Sequence, residues 1–276
     1  MQDLGIIVVS YGGGVNSVAL LVHLQRRRLV PTAILMADPG HEWPETYAYR
    51  DRVMRPWLRK VGFPDVTVVT REAEAKYRPR SQHQGTLGDE CEAWKMLPST
   101  AYGFKRCSHK YKITPCNWYV ERQPWAHTEW NEGRRITRAV GFDAEEDARV
   151  ERALLADAES ALFRVWYPLY EAGINRTGCE DLIRDAGLPL PRKSACTFCP
   201  NSTLQDWRDL RRLHPDLFEY AVEMSRRAAP HIENPDVVGL MRCNPAGRRQ
   251  LHVWAESDDE PPSSQSPPPM PCECAL

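Results

Sequence analysis

The sequence predicts an α/β fold: a doubly wound, mainly parallel sheet of Rossmann-like type, joined to a smaller helical C-terminal lobe. Three observations predict it. Short apolar runs alternate with amphipathic segments between residues 5 and 69. The first run stops at a glycine-rich turn that opens a helix. Beyond residue 178, helical patterns follow one another around a Cys-x-x-Cys pair. Strand–helix–strand alternation is the signature of parallel sheets, because each crossover must return the chain to the same edge of the sheet.

Residues 5–10 (Gly-Ile-Ile-Val-Val-Ser) are apolar throughout, as in a parallel strand covered on both faces. Residues 18–25 carry apolar side chains at helical spacing and end in Arg26-Arg27-Arg28, cations suited to a helix C-terminus. A second strand is expected at 32–37, closed by Asp38-Pro39-Gly40, then a helix over 45–60 and a third strand at 66–69. Residues 76–135 are aromatic and mixed, with few clean periodicities. A strand is expected over 135–142, then helices over 143–163, 178–186, 204–213 and 217–228. From residue 255 the composition turns to Ser, Pro, Asp and Glu, the mark of a disordered tail. The expected division is therefore a nucleotide-binding α/β domain over 1–165, a helical lobe with the Cys-x-x-Cys pair over 166–254, and a tail over 255–276.

Composition narrows the function classes. The 276 residues are 42% hydrophobic and 26% charged, enough to bury a core without disulfide staples. A formal net charge of −1 gives no bulk attraction to nucleic acid or membrane. The apolar run at 4–9 is too short for a signal core or a membrane span, so the expectation is a cytoplasmic protein without a membrane partner. Nine irregularly spaced cysteines in such a chain point to metal or redox chemistry for some and plain burial for the rest.

The segment Ser10-Tyr11-Gly12-Gly13-Gly14-Val15-Asn16-Ser17 has the parts of a phosphate cradle. Glycines let backbone N–H groups approach phosphate oxygens, the helix N-terminus adds partial positive charge, and the hydroxyls of Ser10 and Ser17 add donors. It is neither a Walker A loop nor a Gly-x-Gly-x-x-Gly loop.

Four segments in order resemble one family. Gly12-Gly13-Gly14-Val15-Asn16-Ser17 is similar to the Ser-Gly-Gly-x-x-Ser loop of the PP-loop ATP pyrophosphatases (the adenine nucleotide alpha hydrolase-like superfamily). Asp38-Pro39-Gly40-His41-Glu42-Trp43-Pro44-Glu45-Thr46-Tyr47 resembles the Asp-Thr-Gly-x-Glu-x-x-Glu-Thr-Tyr segment of the phosphoadenosine phosphosulfate reductase-like branch. Cys107 to Pro115 resembles its Cys-Cys-x-x-Arg-Lys-x-x-Pro segment, and Gly141 to Arg149 its Gly-x-Arg-x-x-Glu-Ser-x-Arg segment. The resemblance implies ATP binding by Ser10, Gly12, Gly13, Gly14, Asn16, Ser17, Asp38, Gly141 and Arg149, and cleavage of ATP between its α- and β-phosphates. Two departures are informative. Val15-Asn16 stands where ATP-using members carry Lys-Asp, which removes a carboxylate for Mg²⁺. Asp143 replaces an arginine that meets the sulfonucleotide anion in the reductases, which favours ATP.

Cys196-Thr197-Phe198-Cys199 is a Cys-x-x-Cys pair, whose two thiolates can grip a metal or one face of an iron–sulfur cluster from a single turn. The resemblance groups it with Cys107 as ligands of a four-iron cluster, with Ser108 in place of a second adjacent cysteine. The fourth position is then either open, as in three-cysteine thiolating enzymes, or filled by Cys179; Cys91 and Cys116 are less favoured. The alternatives are structural zinc, with Cys107 and His109 beside the pair, or a redox dithiol without metal. Sulfur transfer implies a donor such as a cysteine desulfurase and an acceptor that is a nucleic acid or a metabolite. Two other functions stay open: a reductase using a tail thiol such as Cys274, and a non-catalytic nucleotide- and metal-binding protein. Lys110, Lys112, Arg149 and Lys193 are candidate phosphate-binding cations. Trp118, Tyr119, Trp125 and Trp130 are candidates for base stacking or simple packing.

Overall fold

The computed structural model describes residues 4–76, 85–157, 160–234, 236–237, 239–242 and 250–257. Strands β1 (Ile7–Ser10), β2 (Ala33–Asp38), β3 (Val66–Thr70), β4 (Ile136–Val140) and β5 (Phe163–Trp166) form one sheet in the order β3-β2-β1-β4-β5. Every pairing is parallel. The helices are α1 (Val15–Arg26), α2 (Pro44–Tyr49), α3 (Arg55–Val61), α4 (Arg71–Ala75), α5 (Leu87–Ala93), α6 (Arg106–Ser108), α7 (Thr114–Glu121), α8 (Pro124–Asn131), α9 (Asp147–Asp157), α10 (Pro168–Glu171), α11 (Arg176–Asp185), α12 (Leu204–Leu213), α13 (Pro215–Ala228) and α14 (Leu251–Glu256). No helix among the described residues is long and apolar enough to cross a membrane.

The strand side chains alternate between two cores, as the two-residue period of a strand requires. Ile7, Val9, Ile34 and Met36 join the buried faces of α1 and α11 on one side. Val8, Leu35, Val69 and Ile136 meet Val120 of α7 and Ala126 of α8 on the other. In α1, Leu20, Leu21 and Leu24 are fully buried, each stabilising by roughly 1.5–3 kcal/mol over exposure. A third cluster packs Leu87, Leu97, Ala101 and Tyr111 with Phe198, Trp207, Phe218 and Trp254. It draws on both sides of the expected boundary at 165/166.

The expected helix over 45–60 is a continuous helical run with a wide turn at Arg50–Met54, where Arg55 N–H donates to the carbonyl of Arg50. The same widening occurs at His109–Ile113, where Thr114 N–H donates to His109. In each case a proline follows at the second position of the next helix, Pro56 or Pro115. A proline gives no N–H to the carbonyl four residues back and its ring crowds that carbonyl, so the turn before it opens to five-residue spacing. The expected helix over 143–163 ends at Asp157, and its last residue instead begins β5. That four-residue strand is too short to show a period, and only pairing with β4 defines it. The expected tail over 255–276 overlaps the end of α14 at Ala255 and Glu256, and 258–276 lie outside the described residues.

Candidate functional site

Strands β2 and β3 lie on one side of β1 and β4 and β5 on the other. The chain thus reverses its direction of sheet-building between β1 and β4, and the carboxyl ends of these two strands form the crevice where ligands bind in open α/β sheets. The glycine loop leaves β1 there. Tyr11 N–H donates to Leu35 O at 2.8 Å, holding the chain against β2 for one more residue. Gly13 has φ +79°, and a β-carbon on it would stand 2.6 Å from Thr46 Cγ2, so both its conformation and the space exclude a side chain. Gly14 caps α1; its carbonyl accepts from Val18 N–H at 3.1 Å and from Ser17 Oγ at 2.9 Å. No acidic residue stands in the first turn of α1, leaving its positive end uncompensated by side chains of that turn.

The end of β4 closes on the same loop. A β-carbon at Gly141 would lie 2.7 Å from the carbonyl oxygen of Asn16, so glycine is what lets the two backbones approach. Beyond it, Asp143 and Glu146 are buried, with relative exposures of 5% and 7%. Asn16 Nδ2 donates to Asp143 Oδ2 at 2.9 Å and to Glu146 Oε2 at 3.0 Å, while Arg176 Nη1 donates to Asn16 Oδ1 at 3.1 Å. Arg149 pairs with Glu146 and lies over the Phe142 ring at 4.2 Å. The amide oxygen that stands where the family carries a carboxylate is therefore directed at a guanidinium, and a neutral amide is what two adjacent carboxylates accept without repulsion. At the end of β2, Asp38 Oδ1 accepts from Gly40 N–H and from Tyr47 Oη, both at 2.7 Å. This bond and burial push the Tyr47 phenol well above its ordinary range.

The segment after β2 is stitched to the Cys-x-x-Cys turn. Trp43 N–H donates to Ala195 O at 3.1 Å, Thr197 N–H to His41 O at 2.8 Å, and Glu42 pairs with Cys196 in an antiparallel bridge. Within the turn, Cys199 N–H donates to Cys196 O at 3.0 Å. Cys107, on α6, is anchored by its N–H to Ser99 Oγ at 2.8 Å, and its sulfur stands 3.0 Å from Thr100 Oγ1. Cys107, Cys196 and Cys199 line a single cavity, with Ser108 and Lys112 on its wall. Lys112 Nζ donates to the buried Glu42 at 2.7 Å.

Ser194 connects the two halves of the site. It packs over Gly12 and Gly14, with its atoms 3.8–3.9 Å from where β-carbons on those glycines would stand. Two residues later the chain reaches Cys196, at most about 7 Å further along.

Not every expected residue is brought here. Cys179 sits on α11 in the core against α1, fully buried, its thiol pushed up to about 12 by burial. It belongs to a different cluster from Cys196 and Cys199, because α11 packs against α1, and it does not line the cavity that Cys107, Cys196 and Cys199 share. Cys116 packs on the opposite face of the sheet, and Cys91 is buried with the third cluster. Among the described residues no three His, Cys, Asp or Glu side chains are grouped tightly enough to hold a single metal ion. Cys243, Cys272 and Cys274 lie outside the described residues. Each expected phosphate-binding cation has a carboxylate partner: Lys110 with Glu90, Lys112 with Glu42, Arg149 with Glu146 and Lys193 with Asp206. Trp125, Trp130 and Tyr119 pack against the sheet, and Trp118 lies under Arg71. Glu42 and Glu146 stand at glutamate positions of the two family segments, but their partners were not legible there. Ser194 and Arg176 have no motif of their own; each is defined by what the fold sets beside it.

No protein-family model and no curated protein matches the sequence. Among solved structures, the chain is similar to the U34-tRNA thiolase NcsA from Methanococcus maripaludis, determined with its [4Fe-4S] cluster. The identity is 15% over 84% of this chain and 76% of that chain, with a TM-score of 0.39.

Proposed function

We propose that this chain activates an acceptor with ATP at the glycine loop and completes the reaction with sulfur from an iron–sulfur centre held by Cys107, Cys196 and Cys199. One juxtaposition carries the reading: Ser194 covers Gly12 and Gly14, and Cys196 follows it into the cavity shared with Cys199 and Cys107. Phosphate chemistry and thiol chemistry thus meet at one end of the sheet.

The donor set is of the kind that holds an iron–sulfur cluster: three cysteine thiols line one cavity. A multi-iron cluster takes thiolates from several walls of one cavity. When bound, it supplies reactive sulfur next to the activated acceptor. The chain's own residues do the rest. Backbone donors at Gly12 to Gly14 and the N-terminus of α1 hold the phosphates and stabilise the charge that builds on them. An acceptor oxygen attacks the α-phosphorus, the bond to the bridging oxygen breaks and pyrophosphate leaves. Sulfur then takes the place of the adenylated oxygen, and AMP departs. Lys112, fixed by Glu42, places its ammonium group on the wall of the thiol cavity and keeps the buried Glu42 carboxylate from adding net negative charge there. The partners under this reading are ATP, a sulfur donor of the cysteine desulfurase kind, and an acceptor that is a nucleic acid or a metabolite.

The test is anaerobic purification with an absorbance spectrum, iron, sulfide and zinc counts, and a pyrophosphate-release assay with ATP. The expected result is a brown protein with about four irons per chain that releases pyrophosphate. A colourless zinc protein, or one that leaves ATP intact with every acceptor class supplied, would overturn the reading.

A further inference from the structure

Beside the thiol cavity lies an open cleft of about 540 Å³ whose wall includes Glu90, Trp94, Arg106, Cys107, His109 and Lys110. Leu87, Pro98 and Cys107 line both spaces, so the cleft adjoins the thiol cavity at Cys107. The chain around two of its lining residues, Trp94 and Arg106, has an unusual composition. Trp94 and Phe104 are the two most exposed large apolar side chains among the described residues, at 69% and 64%. Exposure on this scale costs hydrophobic free energy that a purely structural residue would recover by packing inward. Lys95, Lys105 and Arg106 are exposed next to them in the chain. Among the residues that line the cleft, Arg106 and Lys110 face one carboxylate, Glu90, which pairs with Lys110 and accepts from Tyr111 Oη at 2.8 Å. The wall of the cleft is therefore net positive and carries the flat aromatic face of Trp94, although the whole chain carries a net charge of −1.

We propose that this cleft binds single-stranded nucleic acid, with Trp94 stacking on an unpaired base and Lys95 and Arg106 meeting the flanking phosphates. Aromatic faces interleaved with cations are what a strand without a complement requires: each base offers a π-face to stack, and each linkage a negative charge. A duplex hides its base faces and gains only the cationic part. A base seated on Trp94 stands in the cleft that Cys107 also lines. Delivery of sulfur to that base rests on the function proposed above, whereas binding of the strand does not.

The experiment is fluorescence anisotropy on the purified full chain with end-labelled single strands of RNA and of DNA and the matching duplexes, at about 50 and about 200 mM salt. Single strands are expected to bind about tenfold or more tightly than duplexes, and the tighter of RNA and DNA identifies the source of the ligand. Trp94→Ala should weaken binding about fivefold or more, and Trp94→Phe should restore most of it. Arg106→Ala should weaken binding and reduce the slope of log affinity against log salt by about 0.7. Both side chains are exposed, so the variants fold, and far-UV circular dichroism checks this. Arg59→Ala, on α3, serves as the unaffected control. Absence of binding to either single strand at the lower salt, preference for duplex, or wild-type affinity in both the Trp94→Ala and Arg106→Ala variants would overturn the proposal. A protein that binds strands through Trp94 yet carries no iron and releases no pyrophosphate upholds this inference and defeats only the function proposed above.

Discussion

Asn16 stands where the glycine loop meets its acidic neighbours. Its amide donates to Asp143 and Glu146 and accepts from Arg176, using both ends of one neutral side chain. Asn16→Asp replaces two donated hydrogen bonds with a third carboxylate beside two buried ones. Loss of the bonds and the added repulsion should cost about 1–3 kcal/mol of stability. Millimolar Mg²⁺ should recover part of it, because three carboxylates make a cation site that two carboxylates and an amide do not. Urea denaturation in EDTA and in Mg²⁺ checks both halves, and wild-type stability in EDTA would refute the account. The carboxylates at 143 and 146 were visible in the sequence, but their reach to Asn16 was not. It depends on Gly141 allowing β4 to close on α1.

The elements around the thiol cavity meet only through tertiary contacts. The exit of β2 bridges the Cys-x-x-Cys turn, and the helical run after α6 adds Lys112 to Glu42. Glu42 is 4% exposed, and its second carboxylate oxygen is buried without a hydrogen-bond partner. Lys112→Met leaves that carboxylate uncompensated and should destabilise by about 3–5 kcal/mol, while Lys112→Met combined with Glu42→Gln should regain much of the loss. Thermal or urea melts of the single and double variants decide it; additive losses would show that the pair does not act as a unit. The placement of helices also separates the cysteines by role. Cys179→Ala, on α11 against α1, should leave the iron content of anaerobically purified protein unchanged. Cys107→Ala, Cys196→Ala and Cys199→Ala should each lower it sharply. Equal loss from all four would put Cys179 at the centre after all.

For the molecule as a whole, acid is the expected weakness. Burial lowers the pKa of His23 on α1, of His41 after β2 and of His252 on α14. His41 is stacked on Tyr220 with ring centroids 5.1 Å apart, which ties the segment after β2 to α13. Each histidine binds a proton more readily in the unfolded chain, where it titrates near the ordinary value of about 6.5. The unfolded state therefore takes up more protons as pH falls through that value toward the lowered folded values, and stability declines with it. Above about pH 7 these groups impose no penalty. Unfolding free energies measured from pH 8 to pH 5 should fall through the lower part of that range, and His41→Phe should flatten the decline; a decline unaltered by that variant would remove His41 from the explanation.

The sequence by itself determined the alternation of strands and helices, the glycine loop at the end of β1 and the Cys-x-x-Cys turn. Each rests on local chemistry: apolar period, glycine at a backbone that needs φ > 0, and two thiols within one turn. It missed β5, which exists only through its pairing with β4, and α5, although Thr86 and Asp89 spell a capping box at its start. Tertiary structure alone decided which cysteines share a cavity, that Ser194 lies over the glycines, and that Trp94 is left on the surface beside Cys107. Those contacts join residues far apart in the chain, and their pairing follows from how the sheet order and the third core fold the segments together, which no local pattern encodes.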